Sequence, residues 1–400
     1  MISESTALER ILAQAVPLPT ETLPLAEACG RTCAADVFAS LALPAFDHSA
    51  MDGYALHQHD CERSGQILTV TGTQPAGPKN PGLSVQPGNC VRIFTGGAVP
   101  AGTAAVLMQE DADRTGDKIH VREAAAVGEF IRRAGADLAA GQKILRQAQV
   151  LQPAALGVAA SQGLATLEVF RRPRVVIAST GAELRDPGLP LEFPGQIYNS
   201  NGPLLEALLR RQGVADTVVQ VRLPDDLDSL TTTFRTQLAS CDALLVAGGM
   251  SVGDHDLARP ALLAAGVAAD FWKVSIKPGK PFLFGTAGST LAFGLPGNPV
   301  SAFITALLFV LPALRRMGGL PQEQALPCQI PARLAGRLEN RASRTAYLRG
   351  VLDRAQGWFT PQGVQESHAL FTLSQANALG RVEANAALEA GAEISVLPLW

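Results

Sequence analysis

Residues 243–256 read ALLVAGGMSVGDHD. The uninterrupted apolar run ALLVA fits a strand buried on both faces, and Gly248-Gly249 punctuates its end. Working outward, the same grammar recurs on both sides. Residues 174–179 (RVVIAS) form another buried strand, and 203–211 a helix preceded by Asn199, Ser200 and Asn201. Residues 217–221 read as a strand, 227–238 as a helix, and 290–293 as a strand leading through LPGNP into a helix over 300–311. This alternation predicts a doubly wound, mostly parallel sheet.

The flanks have a different texture. Residues 3–15 have helical spacing and stop before Pro17 and Pro19. Residues 43–129 hold short β segments (66–71 and 90–94) and a turn-rich stretch, 74–87, which is too rich in Pro and Gly for a helix interior. They read as a small β domain inserted between two parts of another, whose second part includes a helix over 153–162 with Pro at its first turn. After Pro321, short alternating strands (347–352 and 393–397) suggest a small β-barrel.

At 400 residues the chain exceeds what one core serves, so two to four domains are expected. A composition of 47% hydrophobic and 17% charged residues is that of a soluble globular protein, and the net charge of −3 gives no reason to expect a nucleic-acid footprint, which needs a concentrated basic face. The six dispersed cysteines read as small buried residues in a reducing cytosol. The first residues lack a basic, apolar and small-residue leader pattern, and the run 302–311 is about half a membrane span. A cytoplasmic protein without membrane or nucleic-acid partners is the expectation.

An open α/β sheet binds ligands beyond the carboxyl ends of its strands. That rule selects residues 179–183 (STGAE), 224–226 (PDD), 248–256 and 295–301 (LPGNPVS). Amides freed by glycine suit phosphate or oxyanion groups, and rim carboxylates suit a hard cation. A P-loop is excluded because Gly279-Lys280 is followed by Pro281, and no Gly-x-Gly-x-x-Gly follows a strand. Taken singly, the glycine pair is better explained by a tight strand–helix turn. Lys273, Lys277 and Lys280 surround a turn stiffened by Pro278 and Pro281, which favours an anion carried with a metal over a solvated loop. Two further stretches, 44–55 (PAFDHSAMDGYA) and 92–100 (RIFTGGAVP), fit site loops and structural turns equally. His48 and His255 have no spaced partners and read as hydrogen-bonding loop residues rather than metal ligands.

These segments in order resemble the MoeA/gephyrin family of molybdopterin molybdenumtransferases. The resemblance rests on FDHSAMDGYAL (46–56), RIFTGGAVPAG (92–102) followed by AVLMQED (105–111), and NSNGPLL (199–205). It continues through GGMSVGDHD (248–256), IKPGKPF (276–282), LPGNPVSAF (295–303) and SHALFTLSQANAL (367–379), so it covers essentially the whole chain. It implies an elongated homodimer of four-part subunits. Residues 1–42 and 130–172 would link and dimerise, 43–129 form the inserted β domain, 173–320 the MogA-like molybdopterin-binding domain, and 321–400 the barrel.

The implied reaction converts adenylylated molybdopterin and molybdate into molybdenum cofactor with release of AMP, with Mg²⁺ as cofactor. The implied catalytic residues are Asp52 and Thr95 from one subunit, with Glu183, Asp225, Asp256, Lys277 and Lys280 from the other. Gly248, Gly249, Ser251, Pro296, Gly297, Asn298, Pro299, Ser301 and Arg344 would bind substrate. Glu183, Asp225, Asp226 and Asp256 would serve the metal, with the choice between Asp225 and Asp226 open. The pterin adenylyltransferase and cofactor-receiving enzymes would be partners. Two departures stand out: Ala247, where Ser or Thr is frequent, and Gly97, where Ala is usual and the turn should loosen. A pterin adenylyltransferase would need only residues 174–315, a non-catalytic scaffold would carry a second MogA-like domain, and a tungsten-directed paralog would share every motif.

Overall fold

The structure, a computed structural model, describes residues 1–78, 82–250 and 256–399. The chain forms two compact units: Met1–Ala35, Gln147–Pro153 and Thr166–Trp400 make the first, and Asp36–Arg146 with Ala154–Ala165 the second.

In the first unit, the sheet order is Thr217–Leu223, Arg174–Thr180, Ala243–Ala247, Thr290–Leu295, Leu283–Ala287, Ala268–Trp272. The first four strands are parallel. The last two are antiparallel, an edge the strand–helix reading did not include. Its signal was present: Gly288-Ser289 separates Leu283–Ala287 from Thr290–Leu295, a two-residue hairpin turn with Gly288 at φ +59°. Both faces of the sheet are covered. Helices Asn201–Gln212 and Pro299–Thr305 pack on one side with Phe282, Phe284 and Phe293. Helices Leu227–Leu238 and Ala258–Ala264 close the other side over Val176, Leu244 and Val246. This double covering is why the strands read as continuous apolar runs.

The helix expected at 300–311 extends over Pro299–Met317, with a π turn at Ala306–Val310 just before Pro312. Proline has no N–H to donate, so the helical ladder must adjust there. This helix is long and apolar enough to cross a membrane, but 89% of its most apolar window is packed inside the protein.

At the start of the unit, helix Glu4–Gln14 is capped by the Ser3 hydroxyl, which accepts from Thr6 N at 3.0 Å, and its Ala7 and Ile11 enter the α/β core. Strand Thr20–Pro24 pairs antiparallel with Thr166–Phe170. Towards the carboxyl terminus, Thr345–Asp353, Trp358–Pro361, Ile330–Leu334, Glu393–Pro398 and Ala378–Val382 pair in that order, and the last returns to the first. That closes a five-stranded barrel around Phe359, Leu334 and Val396. The short strand Ile276–Lys277 adds in parallel to Thr345–Asp353 and thereby ties the lysine turn to the barrel.

The second unit is built on a six-stranded sheet ordered Thr103–Met108, Gly53–His57, Asn89–Ile93, Ile67–Gln74, Lys118–Val121, Ala112–Thr115. Gly53 is dictated by close approach: a Cβ there would lie 1.8 Å from Leu107 O.

No two of the six cysteines form a disulfide, and Cys33, Cys61, Cys90 and Cys241 are buried as expected. Burial pushes the Cys90 and Cys241 thiols up to about 12, which keeps them protonated and inert. Cys29 and Cys328 depart from the expectation and are exposed, each lying outside any helix or strand.

Candidate active site

The carboxyl ends of the parallel strands open into a cavity of about 930 Å³ within the first unit. Its geometry begins at Thr180, the last residue of its strand, where Gly181 at φ +150° lets the chain turn. The Glu183 carboxylate folds back so closely that a Cβ at Gly181 would meet it at 2.6 Å. Ala182 N donates to Asp225 Oδ2 at 2.9 Å, so the loops after two neighbouring strands are bonded together at the rim.

Asp226 is a correction. It is not part of the cavity wall; its carboxylate accepts from Ser229 N at 2.8 Å and caps helix Leu227–Leu238. Hydrogen bonds from Ser229 hold the Asp226 carboxyl below the usual range. A helix start with unpaired amides takes the nearer side chain of an Asp-Asp pair, which leaves Asp225 for the cavity.

The glycine pair is fixed by contact as well as by conformation. At Gly248, φ is +107° and a Cβ would lie 2.5 Å from Thr180 O; at Gly249, φ is +62° and a Cβ would lie 2.7 Å from the Ala258 methyl. Ala247, Gly248, Gly249 and Asp256 line the cavity, whereas Ser251 and His255 lie outside the described residues. Pro296, Gly297, Asn298, Pro299 and Ser301 form the adjoining wall. Asn201 Nδ2 donates to Gly297 O at 2.7 Å, and Asn298 Nδ2 donates to Ser367 Oγ at 2.8 Å.

Lys277 and Lys280 also line the cavity, together with Pro278, Gly279 and Pro281. Gly279 at φ +117° packs against Thr305 and Ile276, where a Cβ would be within 2.9 Å of both side chains. Arg344, also on the wall, donates from Nη1 to Ile276 O at 3.0 Å. The sheet thus contributes carboxylates and glycines, while the lysine turn and the barrel contribute cations.

Thirteen of the expected residues are therefore brought to one cavity: Glu183, Asp225, Gly248, Gly249, Asp256, Lys277, Lys280, Pro296, Gly297, Asn298, Pro299, Ser301 and Arg344. Among the described residues, no group of three or more His, Cys, Asp or Glu is arranged to hold a metal, so the four-carboxylate set does not form a protein-only cage. Thr180 Oγ1 and Asn201 Oδ1, in two lining residues, are buried without a hydrogen-bond partner.

Asp52 and Thr95 lie in the second unit. Asp52 Oδ1 accepts from Thr95 N and from Thr95 Oγ1, both at 2.8 Å. The backbone bond, followed by the hydroxyl bond, holds the Asp52 carboxyl below its ordinary value. Arg92 stacks over Tyr54 at 5.0 Å and over Phe94 at 4.8 Å, bracing the same loop. The turn at Gly97 is not loosened. Gly97 N donates to Phe94 O at 2.8 Å, and a Cβ would lie 2.8 Å from that oxygen and 2.9 Å from Gln74 O. His48 Nδ1 lies 3.3 Å from Phe46 O, a loop hydrogen bond as expected.

Ile197, Tyr198, Asn199, Ser200, Asn201, Gln365, Glu366, Ser367 and His368 also line the cavity, and nothing in the sequence marks them individually as site residues. The motifs NSNGPLL and SHALFTLSQANAL contain five of them but carry no spacing to say which side chains face inward.

A doubly wound sheet joined to a β-barrel around a cavity with acidic and basic walls defines a multidomain α/β protein suited to an anionic ligand accompanied by a hard cation. Residues 2–163 match a model of the MoeA N-terminal region (domain I and II), 176–316 a probable molybdopterin binding domain, and 331–399 the MoeA C-terminal region (domain IV). Molybdopterin molybdenumtransferase 2 of Mycobacterium tuberculosis (strain H37Rv) is 37% identical over 367 residues, covering 90% of this chain and 89% of the relative. Molybdopterin molybdenumtransferase of Haemophilus influenzae is 35% identical over 384 residues, covering 94% and 93%. The crystal structure of the molybdopterin biosynthesis MoeA protein of Pyrococcus horikoshii OT3 superposes with a TM-score of 0.84 at 28% identity over 100% of both chains. The chain belongs to the MoeA family of molybdopterin molybdenumtransferases.

Proposed function

We propose that this chain is a Mg²⁺-dependent enzyme of molybdenum cofactor biosynthesis that inserts molybdate into adenylylated molybdopterin and releases AMP. The observation that carries the reading is the convergence of separate loops on one cavity, which Glu183 and Asp225 line together with Lys277, Lys280 and Arg344. A volume of about 930 Å³ falls within the range of pockets that enclose a small-molecule ligand.

The donor set fits Mg²⁺. This ion prefers hard oxygen ligands and is commonly held by one or two carboxylates plus substrate phosphates, not by a full protein cage. Glu183 and Asp225, on loops bonded together at the rim, would hold it, and when bound it would polarise the phosphate oxygens. The chain's own residues do the rest. Lys277 and Lys280 neutralise charge that develops on the departing AMP phosphate, and their turn is pinned by the Gly279 contacts and by Arg344. The Gly248-Gly249 turn lets the backbone approach the ligand where a Cβ could not be accommodated. Dithiolene sulfurs of the substrate ligate molybdenum, so buried, protonated cysteines are no obstacle.

In this reading the protein works in the cytoplasm as a homodimer. The Asp52–Thr95 loop of one subunit completes the cavity of the other, and the pterin adenylyltransferase and the cofactor-receiving enzymes are its partners. Chromatographic measurement of AMP released from adenylylated molybdopterin tests the reading. Release should require both molybdate and Mg²⁺, and should stop on chelation and resume when Mg²⁺ is restored. Release indifferent to both would be hydrolysis uncoupled from molybdenum insertion and would overturn the reading, and absence of release would leave only a binding role.

A further inference from the structure

We propose that Ile197 and Tyr198 form a stacking wall on which a planar nitrogen heterocycle of the substrate lies, a subsite that rests on the function proposed above. The cavity walls are chemically unlike one another. Carboxylates and lysines can hold metal and phosphate, but Leu184, Ile197 and Tyr198 offer only apolar surface and an aromatic face. Ile197 is 54% exposed and Tyr198 46% exposed, although both line a concave site. Apolar side chains left bare inside a pocket gain most when a ligand covers them.

The wall is held in place by its backbone. Ile197 N donates to Glu183 O and Asn199 N to Arg185 O, each at 2.8 Å, and Leu184–Arg185 pairs in parallel with Ile197–Tyr198. Arg185 Nη2 reaches Glu192 Oε1 at 2.6 Å, which closes the intervening loop over its own base. The wall is therefore bonded to the backbone of Glu183, a residue that also lines the cavity. Through Asn201 it is also bonded to the glycine loop at Gly297. A ring attached to a phosphate gripped by those groups lies within reach of Tyr198.

Adenylylated molybdopterin carries two nitrogen heterocycles, adenine and a pyran-fused pterin with a planar pyrimidine ring, on either side of its phosphoanhydride. Both present the π face that Tyr198 would take, so the test uses each ring separately. Calorimetric titration of AMP, and separately of molybdopterin, is made into the full-length wild type and into Tyr198→Ala, Tyr198→Phe and Leu189→Ser. Leu189 is 45% exposed on the same loop but outside the cavity lining, so Leu189→Ser controls for a general disturbance of the loop.

Loss of a base–aromatic stack weakens binding about tenfold or more. Tyr198→Ala should therefore lose at least about tenfold for one probe, while Tyr198→Phe and Leu189→Ser bind as wild type does. Loss confined to AMP assigns the wall to adenine; loss confined to molybdopterin assigns it to pterin. Wild-type affinity of Tyr198→Ala for both probes, or equal weakening in Leu189→Ser, overturns the wall and leaves the proposed reaction standing. A wild type that binds neither probe overturns both.

Discussion

Replacing Gly248 and Gly297 by alanine, one at a time, separates what the turn does for the fold from what it does for the ligand. At Gly248 the new Cβ would sit 2.5 Å from the Thr180 carbonyl oxygen and 3.0 Å from Thr180 Oγ1, on a backbone at φ +107°. That oxygen ends the neighbouring central strand, where Ser179 pairs with Ala247, so relief requires the two strands to part. The unfavourable backbone conformation costs about 1–3 kcal/mol. Forced repacking costs about 1–3 kcal/mol more. Together these amount to about 2–6 kcal/mol, a fall in Tm of roughly 3–10 °C for a unit of this size. At Gly297 the nearest atom to a new Cβ is Gly248 Cα at 3.7 Å, and φ lies outside the left-handed region. Gly297→Ala should therefore leave Tm unchanged or raise it, through about 0.4–1 kcal/mol of lost unfolded-chain entropy. Its methyl group takes up cavity space and should raise KM for adenylylated molybdopterin. Differential scanning calorimetry and the AMP-release assay read the two effects separately. Equal Tm for Gly248→Ala and wild type, or a larger loss in Gly297→Ala, would refute the contact argument.

Asp225→Asn should abolish Mg²⁺-dependent AMP release. Asp226→Ala should keep turnover and lower Tm, because only the latter caps helix Leu227–Leu238; inactivity of Asp226→Ala at full stability would reverse the assignment. Because the folded Asp52 pKa is depressed by Thr95, its contribution to stability is present above the ordinary carboxyl value and is lost as pH falls through the depressed one. Thr95→Val removes the hydroxyl bond, so the NMR titration midpoint of Asp52 should move upward; an unmoved midpoint contradicts the role of that bond. Heterodimers of Asp52→Ala with Glu183→Ala should recover part of the activity that each homodimer lacks, and no recovery in verified heterodimers argues for a site within one subunit.

Local sequence was sufficient for the elements whose physics is local. ALLVA before a glycine pair could only be a buried strand meeting a turn, and Asn-Ser-Asn before an amphipathic run started a helix as expected. Pro299, at the first turn of its helix, marked that start as well. Motif order along the chain carried the family. What the text could not distribute was the work of neighbouring residues with the same chemistry. Asp225 and Asp226 are equivalent on paper, and only the direction in which helix Leu227–Leu238 leaves the sheet decides which carboxylate caps and which faces the ligand. Similarly, Ile197 and Tyr198 lie in a loop of unremarkable composition, and Ser367 and His368 belong to a barrel segment far along the chain. They become cavity wall because Leu184–Arg185 pairs with Ile197–Tyr198 and Asn298 bonds Ser367. Propensity and periodicity are written residue by residue. The facing of side chains across a cavity depends on contacts between distant segments, and those exist only once the chain has folded.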